Sequence, residues 1–583
     1  MMRTRMRTAT RAGSFGLTVA LCAGLVACAP ATADRGAPRQ VIVIEEQQEP
    51  DSLNPIISNM MASVDAMSPV FSGLVQVDNK MHFFPDLALQ VPTLENGLVK
   101  LEGKGMTVTF HLRHARWSDG VPITSKDVVF TWKVEMNPTV MASSRDGFDR
   151  ITRIDTPDPY TAIVHFKSIY APYLNLWGTI LPEHLLAKAV AEQDRPGDSH
   201  FNHCKWNRHP IGSGPFKIKD WVSGDHSTYV PNPYYYGRKP KLKELIMKFV
   251  PDQNSAFIQL ESGDIDIYQS AAITQYDQLK SMPGIRVLTT PALEYDHLDF
   301  NTRDPILKDP VVRRAMAYAI NDDKLSKIIY KGLYTPAYGD QSPLNKLYFN
   351  PAIESMYPYD PAKAKQILEA DGWKPGPDGI RAKDGKRLSF TIVTTAGMKP
   401  RELTERVAQY YLRKVGIRLN IENVPGPVLF GQPDGLLYKD KFQLAMYAYS
   451  TSPDPDDKVI WNSRFIPPNG ENETRFDNPE VDRLTTLGDL TMDIAKRAAA
   501  NGQFEARFAL SQNPGLAGRL RLLAGTARTV ATEIPAVLLL RRKYRRTQNW
   551  YFEHCFIPIQ HLSTLLRLLG VRISVSQRSG DEA

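Results

Sequence analysis

Residues 388–421 read LSFTIVTTAGMKPRELTERVAQYYLRKVGIRLNI and combine strand and helix patterns in one stretch. The run 388–393 is rich in β-branched and aromatic residues, which is typical of a strand. Residues 401–415 repeat apolar side chains at helical spacing, and after Gly416 the residues 417–421 alternate between apolar and polar. A strand, a helix and a strand in this order form a β-α-β unit. This unit predicts an α/β fold with a largely parallel sheet covered by helices on both faces.

Two other helices have clear starting signals. In Asp309-Pro310 and Asp360-Pro361, a carboxylate able to cap a helix precedes a proline whose missing N–H costs nothing in the first turn. The second of these helices is predicted to end at Gly372 and to bury a face made by Ala364, Ile367, Leu368 and Ala370. Further strands are predicted at 41–44, 107–112 and 162–166.

The amino-terminal segment has the pattern of an export leader. Four arginines and no acids precede an apolar stretch at 15–26, which is too short to span a bilayer as a stop-transfer helix. The stretch ends in Leu25-Val26-Ala27-Cys28, which resembles a bacterial lipoprotein box. The resemblance implies a signal peptide at 1–27, lipidation of Cys28 and a flexible tether at 28–40. The alternative is an ordinary signal peptide with an incidental cysteine, and both predict export.

The net charge of +8 is concentrated at the two ends of the chain. Residues 496–583 contain 14 Lys and Arg against 5 Asp and Glu, whereas residues 29–495 contain 53 against 58. A nucleic-acid-binding protein needs a basic face with interleaved aromatic residues across its body. The mildly acidic body therefore argues against a nucleic-acid partner.

Several short sequence motifs follow one another along the chain in a characteristic order. It comprises 71–75 (FSGLV), 85–88 (PDLA), 110–113 (FHLR), 117–122 (WSDGVP), 127–131 (DVVFT), 210–216 (PIGSGPF), 232–237 (NPYYYG), 263–267 (GDIDI), 300–301 (FN) and 312–320 (VRRAMAYAI). This ordered set resembles the family 5 extracellular solute-binding proteins of ABC importers, the oligopeptide- and dipeptide-binding group, over roughly residues 41–490.

The resemblance implies a two-lobed periplasmic-binding-protein type II fold with an additional subdomain in lobe I. Carried onto this chain, lobe I comprises 41–65 and 201–292, its extra subdomain 66–200, and lobe II 293–495. The implied function is capture of a small peptide-like solute by lobe closure and its delivery to an ABC import permease, on the outer side of a membrane. The alternatives are a non-peptide solute, such as a nickel chelate, haem, an opine or an oligosaccharide, or less favourably a secreted hydrolase.

In peptide-binding relatives, an aspartate of the second lobe pairs with the ligand's terminal ammonium. When the chain is aligned on Asp454-Pro455-Asp456, Thr451 takes the place of that aspartate. This departure weakens the expectation of free-amine recognition, although Asp454 or Asp456 could approach from a neighbouring turn. Alternatively, both aspartates cap the following helix.

The other predicted ligand contacts are aromatic or hydroxyl side chains. Tyr295, Tyr449 and Trp461 are candidates for a cleft wall, because rigid aromatic rings offer contact area at low entropic cost, and each is equally plausible as core. Thr394 and Thr395 follow a predicted parallel strand, where open α/β sheets place their ligands.

Neither a metal centre nor a catalytic motif is predicted. His200, His203, Cys204 and His209 are clustered, but they occupy a polar loop without a second pair of ligands at metal-binding spacing. The elbow, zinc-helix and Ser-x-x-Lys motifs of common hydrolases are absent from the sequence, so we expect neither an enzyme nor a cofactor. Cys204 and Cys555 remain either free or paired with each other.

The carboxy-terminal tail, 496–583, departs from the family. The phrase at 532–537 (TEIPAV) fits the strand that returns to lobe I, but its flanks fit poorly and residues 541–546 contain five basic residues. Two interpretations remain open: a genuine basic extension near anionic lipid, or a local shift of the reading frame.

Overall fold

The computed structural model describes residues 40–510 and 519–520. Within these ranges it leaves out 79–80, 270, 289–293, 335, 337–338, 343–344, 354–355, 432–433 and 451. The predicted leader, Cys28, Thr451, Cys555 and the phrase 532–537 lie outside the described residues. No helix among the residues the structure describes is long and apolar enough to cross a membrane.

The first half of the chain alternates strands with short helices. In chain order its elements are β1 (Val41–Glu46), α1 (Met61–Met67), β2 (Val75–Val77), β3 (Phe83–Pro85), β4 (Val99–Glu102), β5 (Gly105–His111), α2 (Ser125–Glu135), β6 (Ile151–Asp158), β7 (Thr161–Phe166), α3 (Glu183–Ala191), β8 (Gln193–Arg195), β9 (Asp198–Ser199), β10 (Phe216–Val222), β11 (His226–Pro231), β12 (Glu244–Phe249), α4 (Gln253–Ser262), β13 (Ile267–Tyr268) and α5 (Tyr276–Ser281).

The second half is richer in helix. Its elements are β14 (Glu294–Phe300), α6 (Pro310–Ala319), α7 (Asp322–Ile329), α8 (Pro361–Ala370), β15 (Lys374–Pro375), β16 (Arg381–Lys383), β17 (Lys386–Arg387), β18 (Ser389–Thr394), α9 (Lys399–Lys414), β19 (Arg418–Ile421), α10 (Gly426–Phe430), β20 (Leu444–Ser450), α11 (Lys458–Trp461), α12 (Pro479–Leu490), α13 (Ile494–Leu510) and β21 (Arg519–Leu520).

Three sheets organise these elements. The first sheet has the strand order β10-β11-β12-β1-β13, the insert sheet β4-β5-β7-β6, and the second sheet β19-β18-β20-β14-β21. Smaller sheets are formed by β2-β3, β8-β9 and β15-β16-β17. The strands predicted at 41–44, 107–112 and 162–166 correspond to β1, β5 and β7. The residue bounds of the predicted lobes and subdomain stay a prediction.

The sheets are mixed rather than largely parallel, so that expectation was wrong. β1 pairs in parallel with β12 and β13, but β10, β11 and β12 pair antiparallel, and so do all neighbours in the insert sheet. The cause is short connections: 223–225 joins β10 to β11 and 103–104 joins β4 to β5. Loops of this length connect only antiparallel neighbours.

The β-α-β unit of residues 388–421 is confirmed. β18 and β19 are parallel, with Ser389 beside Arg418 and Ile392 beside Ile421, and α9 connects them. Between α9 and β19, Gly416 has a φ of 87°, and a Cβ there would lie 2.7 Å from Cγ of Arg381. Glycine is therefore required both by the backbone conformation and by the close packing at this turn.

Both predicted helix starts are also confirmed. The carboxylate of Asp309 accepts a hydrogen bond from the Val311 N–H at 2.8 Å, and that of Asp360 accepts one from the Lys363 N–H at 2.8 Å. On α8, Ala364 and Leu368 are fully buried, but Ala370 is exposed, contrary to the prediction. A step of two residues rotates about 200° around a helix, which places Ala370 opposite Leu368.

The second sheet presents different chemistry on its two faces. Leu298 and Phe300 of β14 join the main apolar core beneath α9, and Asp296 on the same face pairs with Arg401 of that helix at 2.7 Å. The alternating residues Tyr295, His297 and Asp299 lie on the opposite face, beside Tyr447 and Tyr449 of β20. This aromatic and acidic face leads to the predicted ligand contacts.

Candidate ligand site

Three strands of the second sheet end at one edge. β18 and β20 are parallel and reach this edge with their carboxyl ends, Thr394 and Ser450, while the antiparallel β14 starts there. The strand pairing places Tyr295 directly beside Tyr449. Tyr295 and Tyr449 therefore lie side by side, whereas Thr394 pairs with Met446, three residues before Tyr449 on β20. Thr395 directly follows β18 at the same end of the sheet.

The aromatic residues of this edge form a stack. The ring of His297 lies parallel to that of Tyr449, with centroids 4.9 Å apart and an angle of 7° between the planes. Tyr295 lies 6.5 Å from Tyr449, and Tyr447 meets His297 edge-on at 4.3 Å. Aromatic pairs of this kind add stability beyond their buried area, so the stack is a rigid support for the edge.

Acidic groups hold the outer tyrosine in place. The hydroxyl of Tyr449 donates to the carboxyl group of Glu473 at 2.5 Å and contacts the carbonyl oxygen of Glu471 at 3.0 Å. Burial raises the pKa of Glu473 to about 8, despite the hydrogen bond from Tyr449, which acts in the opposite direction. Glu473 thus holds its proton at neutral pH, when an ordinary glutamate has lost it.

A second acid lies deeper on the same face. Tyr447 donates its hydroxyl proton to the carboxylate of Asp299 at 2.5 Å, and Nε2 of His297 lies 3.4 Å from that carboxylate. Burial and the Asp299 charge raise the pKa of Tyr447 well above its ordinary value. The sequence analysis missed His297, Asp299 and Glu473. The period-two spacing of Tyr295, His297 and Asp299 is the signal that could have found the first two.

The two threonines differ in their surroundings. Thr394 is fully buried, and its hydroxyl donates to the carbonyl oxygen of Met446 at 2.7 Å. Thr395 is half-buried and forms an isolated bridge with Val424 at the end of the strand. The hydroxyl of Thr394 therefore stabilises the strand pair, whereas Thr395 lies nearer the surface.

Trp461 is separate from this edge. It is fully buried in a small core with Phe476, Val481 and Leu484. Its indole N–H donates to the carboxylate of Asp340 at 2.7 Å. Of the two roles considered for this residue, its position matches that of a core residue.

The aspartates of the 454–456 turn are held by internal partners. Asp454 forms an ion pair with Arg497, and Asp456 accepts a hydrogen bond from the hydroxyl of Tyr170 at 3.2 Å. The following helix, α11, begins at Lys458 directly after Asp457. The alternative that Asp454 and Asp456 cap this helix is therefore wrong.

The histidine cluster has local partners. His200 contacts Asp194 at 2.8 Å, His203 contacts Asp198 at 3.2 Å, and the thiol of Cys204 donates to the carbonyl oxygen of Phe201 at 3.6 Å. Across the ranges the structure describes, no three His, Cys, Asp or Glu side chains are grouped so as to hold a metal ion. Because Cys555 lies outside those ranges, both alternatives for Cys204 and Cys555, free thiols or a disulfide, stay open.

An α/β chain with two large mixed sheets, an antiparallel insert sheet and an aromatic sheet edge has the architecture of a two-lobed solute-binding protein. Residues 84–470 match the bacterial extracellular solute-binding proteins, family 5, and the chain belongs to this family. The resemblance and the fold class predicted from the sequence are thereby confirmed.

Several known proteins are similar to this chain. The oligopeptide-binding protein AppA of Bacillus subtilis is 31% identical over 459 residues, which cover 77% of this chain and 81% of AppA. The structure of AppA from Bacillus subtilis in complex with a nonapeptide matches with a TM-score of 0.72 and 26% identity, covering 90% of this chain and 98% of AppA. NikZ from Campylobacter jejuni in complex with Ni(L-His) also matches with a TM-score of 0.72, covering 87% of this chain and 95% of NikZ. At 24% identity, the NikZ match shows a shared fold alone.

Proposed function

We propose that this chain is an exported, lipid-anchored substrate-binding protein that captures a peptide by lobe closure and delivers it to an ABC import permease. The observation that carries the proposal is the pairing of Tyr295 with Tyr449 at the end of the second sheet where β18 and β20 have their carboxyl ends. Ligands of α/β sheets bind outside the carboxyl ends of the parallel strands. The peptide-binding names of the relatives support the choice of ligand.

The edge offers a peptide both apolar contact and hydrogen bonds. The ring of Tyr449 is held in place by the hydrogen bond from its hydroxyl to Glu473 and by stacking on His297. It therefore loses little conformational freedom when a ligand binds. Enclosed peptide groups need hydrogen-bond partners, because a buried polar group without one costs about 1–3 kcal/mol. The half-buried Thr395 and the exposed end of β20 at Ser450 are the groups we assign to this role.

Recognition of a free peptide amine is not part of the proposal. The carboxylates of Asp454 and Asp456 are already paired with Arg497 and hydrogen-bonded by Tyr170. Thr451, at the position of the relatives' aspartate, is neutral. A neutral hydroxyl can accept a hydrogen bond from an ammonium, but it supplies no negative charge to form an ion pair with it.

The proposed lipid anchor and the proposed permease partner are argued from the sequence and the family rather than from the ligand site. The pattern of the leader and Cys28 supports the proposed export and lipidation, and membership of a family of extracellular solute-binding proteins supports the proposed permease partner. Capture and delivery require no bond to be made or broken, so the proposal includes no catalytic step.

Ligand identity is tested directly by extracting the protein from membranes and analysing co-purified molecules by mass spectrometry. We expect peptides of several residues. Calorimetry with a random nonapeptide library should then give a Kd near about 1 μM, which corresponds to about 8 kcal/mol. Compaction measured by X-ray scattering should accompany binding. If an opine or a nickel chelate is recovered and no peptide changes the radius of gyration, the peptide assignment is wrong.

A further inference from the structure

A buried group of charged residues joins two parts of the chain that are far apart in sequence. Asp146, Arg150 and Tyr170 flank the strands β6 and β7 of the insert sheet, whereas Asp456 and Lys458 follow β20 of the second sheet and Asp489 lies near the end of α12. We call these six residues the interlobe cluster. The ion pair between Arg150 and Asp489 spans 339 positions, and the contact between Asp146 and Lys458 spans 312.

The contacts within the interlobe cluster are short. Asp489 accepts from Nη2 of Arg150 at 2.8 Å and from Nζ of Lys458 at 2.6 Å. Nζ of Lys458 also lies 3.2 Å from the carboxylate of Asp146. Tyr170 donates to Asp456 at 3.2 Å, and the guanidinium of Arg150 lies 4.8 Å from its ring centroid. Two ion pairs and the hydrogen bond from Tyr170 therefore join the two sides, and the carboxyl groups of Asp146 and Asp456 also meet across the boundary.

The cluster is largely closed to solvent. The side chain of Lys458 is 6% exposed and that of Asp489 is 3% exposed. Two ionised groups excluded from water are held favourably only if their hydrogen bonds are complete, and removal of one partner leaves an uncompensated charge. Separation of the two sides would expose Asp146 and Arg150 on one surface and Lys458 on the other.

The charge count in the cluster leaves one carboxylate in excess. Lys458 and Arg150 supply two positive charges against Asp146, Asp456 and Asp489. Burial, followed by the negative charge of Asp489, raises the pKa of Asp456 well above its ordinary value.

Two hydrogen bonds to backbone carbonyl oxygens lie along the same boundary between the two sides. The N–H of Ala171 donates to the carbonyl oxygen of Asp489 at 2.8 Å, and Nδ2 of Asn175 donates to the carbonyl oxygen of Asp454 at 3.0 Å. Asp454 follows β20, whose end forms the candidate ligand edge. The boundary therefore runs directly beside that edge.

We propose that the interlobe cluster is a charge-paired closure device, which holds the insert sheet against the segment after β20 and so determines how long a captured solute is retained. This proposal rests on the proposed function in that the solute is enclosed between the same two parts. Contacts that exist only in the closed protein slow ligand release more than they accelerate binding.

The test uses Arg150→Met in the full-length protein, because this change removes a charge from one side only. Without ligand, we expect a larger radius of gyration than in the wild type and faster amide exchange at 171–175 and 452–458. In the nonapeptide library, we expect Kd to rise about tenfold, mainly through a faster dissociation rate. The matched control is Arg153→Met on β6, where the side chain is 63% exposed and pairs only locally with Asp155.

Asn175→Ala is a second variant that leaves the buried charges intact, in case Arg150→Met does not fold. We expect it to increase exchange at the same segments to a smaller extent. The proposal is overturned if Arg150→Met, or Asn175→Ala where it alone folds, matches Arg153→Met in radius of gyration and exchange. Because these measurements are made without ligand, they remain decisive even if the wild type binds no peptide, which would count against the proposed function instead.

Discussion

His297 stacks flat against Tyr449, with 4.9 Å between the ring centroids, although the two residues lie on different strands. β14 supplies one ring and β20 the other, so the stack links the strands through side chains as well as through the backbone. The contact also fixes the direction of the tyrosine hydroxyl, which reaches Glu473. The geometry of the candidate ligand edge therefore depends on residues beneath it.

Tyr449→Phe should keep the stack and lose only the hydroxyl. We expect a loss of about 1–2 kcal/mol in the free energy of unfolding, because the half-buried Glu473 loses its hydrogen-bond donor. Tyr449→Ala should cost about 3–5 kcal/mol, since it also removes the ring. Urea denaturation measures both changes. Tyr410→Phe, at a ring that is 58% exposed, is the control and should leave stability unchanged.

Glu473→Gln should alter how stability depends on pH. The pKa of Glu473 is raised to about 8 in the folded protein, from an ordinary value of 4.5. The contribution of Glu473 to folding stability is therefore complete at pH values below 4.5 and is lost as the pH rises toward and through 8. Melting temperatures between pH 5 and 9 should fall less steeply in Glu473→Gln than in the wild type. The exposed Glu422→Gln should follow the wild-type slope, and an identical slope in all three proteins would contradict the prediction.

Removal of the Arg497 charge should destabilise the protein. Arg497→Met leaves the buried Asp454 carboxylate without its ion-pair partner, which should cost about 3–5 kcal/mol. Thermal or urea unfolding reports the loss. Lys496→Met changes the neighbouring residue, whose side chain is 78% exposed, and should have almost no effect. Equal stability of the two variants would show that the Arg497 ion pair contributes nothing.

N-acetylation of a bound peptide should weaken binding by less than about tenfold, or about 1.4 kcal/mol, because Thr451 offers no charge to the amine. Thr451→Asp should create a preference for the free amine. Calorimetry with matched free and acetylated peptides checks both statements. Strong rejection of acetylated peptides by the wild type, combined with loss of binding in Asp454→Ala, would place the anchor at Asp454.

Cys28→Ala should release an exported but soluble protein. Two or three acyl chains hold a lipoprotein at a membrane, and without the cysteine no chain is attached. Detergent phase partitioning compares the variant with the wild type. If both enter the detergent phase to the same extent, Cys28 is not the anchor.

The sequence patterns correctly predicted those helices and strands that are determined by residues close together in the chain. The β-α-β unit follows from spacing within 34 residues, and Asp309 and Asp360 cap helices that start at the next residue. The mixed pairing of the first sheet was missed because strand direction depends on connections that the strand pattern does not encode.

The candidate site was predicted only in part, because its contacts join residues that are far apart in the sequence. Tyr295 and Tyr449 were recognised as aromatic residues, but their direct pairing requires the register between β14 and β20. The contact of Asp456 with Tyr170 joins residues 286 positions apart, and no spacing rule relates them. Glu473 looks like any surface glutamate in the sequence, because its burial is a property of the folded chain.

The alternation along β14 makes the length of this strand more critical than its composition. Leu298 and Phe300 face the apolar core, while His297 and Asp299 face the tyrosines. A single inserted or deleted residue would turn an ionisable pair into the core and two hydrophobic side chains toward the ligand edge. A point substitution on β14 changes one side chain, whereas a one-residue change in length would reverse the two faces of the strand at once.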